Sequence, residues 1–503
     1  MRKLTSYLIL GSFIALVASG CDSFLSHSDP TSFTKNNYYT EPAHAEAAVN
    51  AIYEDLRAVR GGGFGGAPWL MTEFQTGLAN TELGQATNSL DIRALDNSAD
   101  NGYGQTYWNS HYRGIANANE ALANIPNIEQ LDEATENRLL GEARFLRAYY
   151  YYNLVRIFGD VPLILEPVGL DSENLAPERA PVADVYDAIV SDLTWVESNS
   201  GLPFNNETGR ATMGAVKTLL SSVYLTMAGY PLQGGDQYYQ LARDKAKEVI
   251  DSGEYRLFDT YEELKQESLE NTGEHIFMVQ FDADIVDHNG LQYVTLPYNQ
   301  DISVFSAETG GIFAQEEFVE SYESGDKRAE EKGFYYSEFS PASDRSVTKN
   351  LGGWYLWKFF DEEANVETAV SGMNWPLFRY AEVLLIFAEA ENEVNGGPTQ
   401  DAYDAVNAIR DRADIPDLAG LSQEEFREEV WEEKFHELSF ENKAWFDMVR
   451  LRKAYNLGNG EKFEDYVGHT FVYGPTLSER ELLFPIPAPE RRNNENLTQN
   501  PGY

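Results

Sequence analysis

Cysteine is almost absent from this chain of 503 residues, since Cys21 is the single one. One cysteine cannot build a disulfide framework within the chain, nor can it supply a thiolate metal site. Long apolar runs are also missing. After residue 20 there is no stretch of about 18 apolar residues, the length that a membrane-spanning helix needs. The sequence therefore argues against a protein with several membrane spans.

Basic residues are the second scarcity. The chain has 38 Lys and Arg against 81 Asp and Glu, a formal net charge of −43. Phosphate backbones are repelled by such a field, so nucleic acid is not an expected partner. The acidic residues are scattered rather than grouped in blocks, which favours a solvated acidic surface suited to a salty habitat. A surface that steers substrates is the alternative.

Aromatic and apolar residues are plentiful in one stretch, Gly141–Pro162. Their spacing alternates between steps of three and four, which places them on one stripe of an α-helix. The stripe contains Leu139, Ala143, Leu146, Tyr150, Leu154 and Ile157. Further tyrosines widen it until little solvent face remains, and Gly159 can end the helix. This predicts a helix buried on most sides, within an array of other helices.

The N-terminus has the features of a targeting segment. Arg2 and Lys3 precede an apolar stretch, and small residues stand directly before Cys21. This arrangement resembles a bacterial lipobox, in which the cysteine is acylated. We therefore predict a lipoprotein signal peptide over 1–20, a lipid anchor on Cys21 and an extended tether over 21–40. An ordinary cleaved signal peptide with a buried cysteine is the alternative.

The residue pattern of the rest of the chain changes twice. Helical periodicity dominates both ends, while the middle has frequent Gly and Ser and two β-like stretches, His275–Phe281 and Leu291–Tyr298. The Gly-rich segment near residue 61 follows a predicted helix rather than a strand, so it is not a dinucleotide-binding loop. The expected regions are N-terminal helical repeats over 41–254 with a ligand loop at 61–104, a mixed lobe over 255–374, and C-terminal helices with an extended tail over 375–503.

Several stretches resemble the signature segments of one family, SusD/RagB, the surface nutrient-binding lipoproteins of Bacteroidetes. They are GEARFLRAYYYYNLVRIFGDVP from Gly141, WNSHYRGIANANEAL from Trp108, RYAEVLLIFAEAENEV from Arg379, ENKAWFDMVR from Glu441 and the tail from Leu483. The resemblance runs from Cys21 to Tyr503 and is weakest in the middle lobe. It implies a mainly α fold: a tetratricopeptide-like helical-repeat scaffold with an inserted, loop-rich mixed α/β lobe.

The resemblance also implies a function. Proteins of this family sit on the outer membrane facing the cell exterior, where they capture oligosaccharides and pass them to a SusC-like TonB-dependent transporter. Two alternatives remain open. The protein could capture peptides, as related members do, or it could be a helical scaffold that only holds other proteins.

No enzymatic constellation is recognisable. His436-Glu437 begins like a zinc-protease motif, but Phe440 stands where the second histidine would be. No G-x-S-x-G elbow occurs, and no pair of carboxylates is singled out among 81. Asp282, Asp284 and Asp287 lack the rest of a calcium-binding loop. We therefore expect a binding protein that is not an enzyme and has neither metal nor cofactor.

Neutral sugars are held by aromatic rings and a few polar groups, and only rings outside helical stripes are free for this role. Trp108, Trp195, Trp431 and Trp445 lie on stripes and are assigned to packing. The aromatic candidates are Trp69, Tyr293, Tyr298, Trp354 and, more weakly, Trp375. The polar candidates are Gln75, Asn80, Asn299 and Gln300. Local packing of each ring is the alternative; the resemblance independently implies a site where the first loop meets the middle lobe.

The lipid anchor can be tested directly. Cys21→Ser should leave the protein without acylation and release it from membranes, because one acylated residue would supply the whole anchor. Incorporation of labelled palmitate and membrane fractionation measure both effects. Palmitate incorporation into the variant would contradict the assignment.

Overall fold

The computed structural model describes most of the chain after the N-terminus. The described residues are 39–60, 68–82, 87–169, 172, 175–283, 288–304, 308–368 and 370–503. The signal peptide, Cys21 and nearly all of the tether lie outside them, as do the Gly-rich part of the first loop and Asp284 and Asp287. Within the described residues, no helix combines the length and apolar character needed to cross a bilayer.

Long helices form most of the structure, and each packs against its neighbours in a continuous array. Helix α8 packs against α11, so the helices before and after the middle lobe join in one scaffold. The N-terminal helices are α1 Pro42–Arg60, α2 Leu70–Phe74, α3 Thr87–Arg93, α4 Gly102–Asn124, α5 Glu133–Phe158, α6 Val182–Asn199, α7 Met213–Ala228 and α8 Asp236–Asp251. The later ones are α9 Leu291–Thr295, α10 Glu316–Glu320, α11 Tyr380–Asn395, α12 Gln400–Ala413, α13 Gln423–Glu437, α14 Ala444–Leu451 and α15 Ala488–Asn493.

Helix α5 is the enclosed helix that the sequence predicts. From Leu139 to Phe158 only Arg144 and Arg156 are not buried. The hydroxyl of Tyr150 donates to the carbonyl of Ile52 in α1 at 2.6 Å, so the buried tyrosines also tie α5 to its neighbours. The side chain of Asp132 caps the start of the helix, and Gly159, at φ 71°, ends it.

In the described part of the chain, the strands are short and belong to three small sheets. The largest has the order β1-β3-β5-β4, and its β1 lies in the first loop while the other three lie in the middle lobe. The second pairs β2 with β6, and the third pairs β7 with β8. The strands are β1 Ala79–Asn80, β2 His275–Val279, β3 Phe313–Ala314, β4 Tyr335–Phe339, β5 Lys349–Leu356, β6 Trp375–Arg379, β7 Lys453–Tyr455 and β8 Phe463–Asp465.

Two local expectations were wrong. The β-like stretch from Leu291 forms helix α9, because Leu291, Gln292, Val294 and Thr295 are all buried and a short run enclosed on every side carries no distinguishing period. The tail is not extended throughout, since it contains α15. Pro487 and Pro489 lie at the very start of that helix, where no backbone N–H is needed. The boundaries of the expected regions, 41–254, 255–374 and 375–503, remain predictions.

A buried ion network connects the middle lobe to the C-terminal helices. Arg379, 1% exposed, donates to Glu274, Glu437 and Glu441, the last at 2.6 and 2.9 Å. Arg328 in the lobe is fully buried and reaches Glu437 at 3.3 Å. Burial raises the pKa of Glu441, but the adjacent cations more than offset this and lower it to about 2. The Glu441 carboxylate is therefore ionised and depends on its cationic partners.

Arg379→Met should destabilise the fold by ~3–5 kcal/mol, because buried carboxylates would lose a cation that compensates their desolvation. Chemical denaturation measures the free energy of unfolding. Lys453→Met is the matched control, since Lys453 pairs with Asp465 at the surface and its loss should cost less than ~1 kcal/mol. Equal losses in both variants would contradict a structural role for the network.

Candidate functional site

The first loop and the middle lobe meet in the four-stranded sheet. Asn80 of β1 lies opposite Phe313 of β3, and Ala314 of β3 lies opposite Trp354 of β5. The first of these pairings joins segments more than two hundred residues apart in sequence. The sheet therefore brings Asn80 and Trp354, two of the candidate residues, to one part of the surface.

The end of β1 is held to the lobe by further contacts. The backbone N–H of Glu82 donates to the carbonyl of Gly310 at 3.1 Å, and the Tyr355 hydroxyl donates to the Glu82 carboxylate. Burial and that carboxylate raise the pKa of Tyr355, so its hydroxyl stays protonated as the donor. A Cβ on Gly310 would lie 2.1 Å from Glu82 and 2.9 Å from Tyr298. Glycine at this position therefore allows Glu82 and Tyr298 to approach the same turn.

Three candidate rings reach solvent. Tyr298 is 51% exposed, and Tyr293 and Trp354 are half-buried. Burial raises the pKa of Tyr293, which keeps its hydroxyl neutral. The carbonyl of Tyr293 accepts from Thr309, which links α9 to the turn at Gly310. We call Tyr293, Tyr298 and Trp354, with the sheet edge at Asn80, the aromatic platform.

The loop after Tyr298 is organised by a carboxylate that the sequence did not single out. Glu308 accepts hydrogen bonds from the backbone N–H groups of Gln300, Asp301, Ile302 and Ser303. Their distances lie between 2.5 and 2.8 Å. This fixes the loop beside the platform without using the side chain of Gln300.

The remaining polar candidates differ in accessibility. Asn299 is exposed and adopts φ 50°, and Gln300 and Asn80 are half-buried. The Asn80 side-chain oxygen accepts from the neighbouring Thr81 N–H at 2.9 Å, and the NH2 group of the same amide can donate to other partners. Gln75 is only 2% exposed and donates to the carbonyl of Glu481 at 3.4 Å. Its expected place in an open site was therefore wrong, because it contacts the C-terminal tail instead.

Trp69 and Trp375 were also expected to reach solvent, and this was wrong. Their exposed fractions are 0% and 1%, and their ring centroids lie 5.0 Å apart. Phe359 stacks on Trp375 at 4.4 Å, and Asn442 donates to the carbonyl of Trp69 at 2.8 Å. These rings belong to the main hydrophobic core. Packing between distant segments buries them, and no local pattern reveals that.

Sequence reasoning missed Glu82, Glu308, Phe313 and Tyr355. Each acts through a hydrogen bond or a ring contact in the folded protein, and no sequence motif indicates such a contact. In the part of the chain that the structure describes, no group of three His, Cys, Asp or Glu residues is placed to hold a metal ion. What the platform offers is exposed aromatic surface beside amide groups.

Known proteins share this architecture. The model described as "SusD family" matches residues 273–503, and the one described as "Starch-binding associating with outer membrane" matches 30–225. The crystal structure of a SusD superfamily protein from Parabacteroides distasonis is 40% identical, with a TM-score of 0.88, and the match covers 94% of this chain and all of that one. The chain belongs to the SusD/RagB family. The predicted mainly α, tetratricopeptide-like fold is confirmed.

Two curated relatives of this SusD-like chain are also informative. SusD-like protein P2 of Formosa agariphila is 28% identical over 99% of both chains. Starch-binding protein SusD of Bacteroides thetaiotaomicron is 24% identical over 75% of each chain.

The two tryptophans of the first loop and of β5 should separate core from platform. Trp69→Ala should cost ~3–5 kcal/mol of unfolding free energy, because it leaves a cavity under the sheet. Trp354→Ala should cost clearly less, since part of its ring already contacts water. Urea unfolding of both variants measures the difference, and equal losses would place Trp354 in the core.

Proposed function

We propose that this protein captures an oligosaccharide on the aromatic platform at the outer surface of the outer membrane. In this proposal it is lipid-anchored through Cys21, is not an enzyme, and hands the ligand to a SusC-like TonB-dependent transporter. The observation that carries the proposal is the platform itself. Tyr298 is exposed, and Trp354 is half-buried on a sheet that joins the first loop to the lobe.

The chemistry of the platform suits a sugar. Aromatic faces pack on the apolar faces of sugar rings, and amide groups such as those of Asn80 and Asn299 can exchange hydrogen bonds with hydroxyls. The names of the relatives support a carbohydrate ligand, since one is a starch-binding protein and one matching model describes starch binding at the outer membrane. The same names support the proposed location.

Rigid support favours recognition by this surface. Trp354 lies on strand β5, Tyr293 lies on helix α9, and Glu308 fixes the loop after Tyr298. A preorganised surface loses less conformational entropy on binding than a mobile one. The platform therefore binds without first having to fold.

Loss of either accessible ring should weaken sugar binding. A glycan array first selects an oligosaccharide, and calorimetry then compares the wild type with Tyr298→Ala and Trp354→Ala. Each variant should lose about 1–3 kcal/mol of binding free energy, by analogy with bases stacked on aromatic rings. Trp195→Ala is the matched control, because Trp195 is also half-buried but lies on helix α6.

Unchanged affinity in both platform variants would move the site elsewhere. An array on which no glycan binds, combined with binding of a peptide library, would replace the sugar with a peptide.

A further inference from the structure

A second surface feature lies on the helical side of the protein, away from the platform. It is a pocket of about 810 Å³ between the end of α5, the loop after α7, helix α14 and the C-terminal tail. A volume of this size suits a small-molecule ligand, for which sites of about 300–1,000 Å³ are usual. None of the candidate residues of the platform lines it.

Arginines line this pocket without carboxylate partners. Arg156, Arg179 and Arg452 face it, and among the described residues none of the three makes an ion pair. Neighbouring Arg450 shows the usual situation, since it pairs with Glu389 and Asp447 at 2.7 and 2.6 Å. Arg156 donates instead to Asn153 at 2.9 Å, and Arg179 donates to Asn500 at 2.6 Å. Among the described residues, this leaves the Arg452 side chain without an acceptor.

Arg452 is the clearest of the three. It ends α14 in the left-handed conformation, at φ 56°, and its guanidinium lies over the ring of Tyr230 at 4.8 Å. Its Nη1 atom is buried and has no hydrogen-bond acceptor in the described protein. Burial lowers the pKa of this guanidinium. The other N–H groups of this guanidinium have no acceptor among the described residues, and an anion in the pocket can accept charge-assisted hydrogen bonds from them.

The carboxylates that also line the pocket do not remove this excess of positive charge. Asp160 accepts from the backbone N–H of Val182 at 2.9 Å, and Asp465 pairs with Lys453 at 2.8 Å. Glu479 is exposed at the edge, where its charge acts on Arg452 without forming an ion pair with it. The pocket therefore favours an anionic ligand, although the protein as a whole is strongly acidic.

Apolar and aromatic surface accompanies the arginines. Tyr230 is 40% exposed, Val467 is 49% exposed, and Phe446 lies beneath the guanidinium of Arg156 at 3.7 Å. Rings beside charged donors suit a compact ligand with an apolar face and an isolated anionic group. A polyanion would be repelled by the net charge of −43, which disfavours an acidic peptide.

We propose that this arginine pocket binds an acidic sugar, a carbohydrate unit that carries a carboxylate or a sulfate. Arg452 supplies the charge-assisted hydrogen bond, and Tyr230 supplies the surface on which the sugar ring packs. The pocket is separate from the aromatic platform and acts independently of it.

Calorimetry in a phosphate- and sulfate-free buffer tests the pocket. The probes are galacturonic acid, galactose 6-sulfate, neutral galactose and a short glutamate peptide. At least one acidic sugar should bind the wild type, and Arg452→Gln should weaken it about tenfold or more. Which acidic sugar binds distinguishes a carboxylate from a sulfate.

Two variants serve as controls. Arg492→Gln removes the same charge from an exposed arginine outside the pocket and should leave binding unchanged. Trp354→Ala should also leave it unchanged, which separates this site from the platform. Arg452→Gln is expected to fold, because the Arg452 side chain makes no hydrogen bond within the described residues; Arg452→Lys, with partial loss of binding, provides a second reading.

Three results would overturn the proposal. They are no binding of either acidic sugar, equal weakening by Arg452→Gln and Arg492→Gln, and tighter binding of the glutamate peptide than of both sugars.

Discussion

Compensation of buried charge is the constraint on which the rest of this structure depends. Glu437, in α13, is fully buried and accepts from Arg328, Arg379 and Arg412. Each of these ions would be costly alone in the interior, so each is stable only where its partners are. Because Arg328 comes from the lobe and Arg412 from α12, satisfying Glu437 fixes how the lobe lies on the helices.

The aromatic core extends this constraint to the ligand surface. Arg379 ends strand β6, and Trp375 begins it, so the strand runs from the stack against Trp69 and Phe359 into the ion network. The first loop is thereby held against the lobe from below. The pairing of β3 with β5 then holds Trp354 in place, and Glu308 fixes the loop after Tyr298. A surface that binds through shape needs such support.

The two proposed sites use different kinds of side chain. Most arginines in the described part of the chain form ion pairs with carboxylates, as Arg379 and Arg450 do. The platform works with neutral rings and amides, whereas the pocket works with the few cations left unpaired, chiefly Arg452. An acidic surface keeps the protein soluble and repels polyanions, while one local pocket can still favour a single anion.

The sequence by itself determined the helices, the enclosed position of α5 and the family, because a period of 3.6 shows which face of a helix is buried and the signature stretches are local. It did not determine which loop aromatics reach solvent. Trp69 and Tyr298 stand in similar irregular segments, yet the first is buried and the second is 51% exposed. Only tertiary structure decided this, because burial outside regular elements depends on partners such as Trp375, which lies hundreds of residues from Trp69 and leaves no periodic trace.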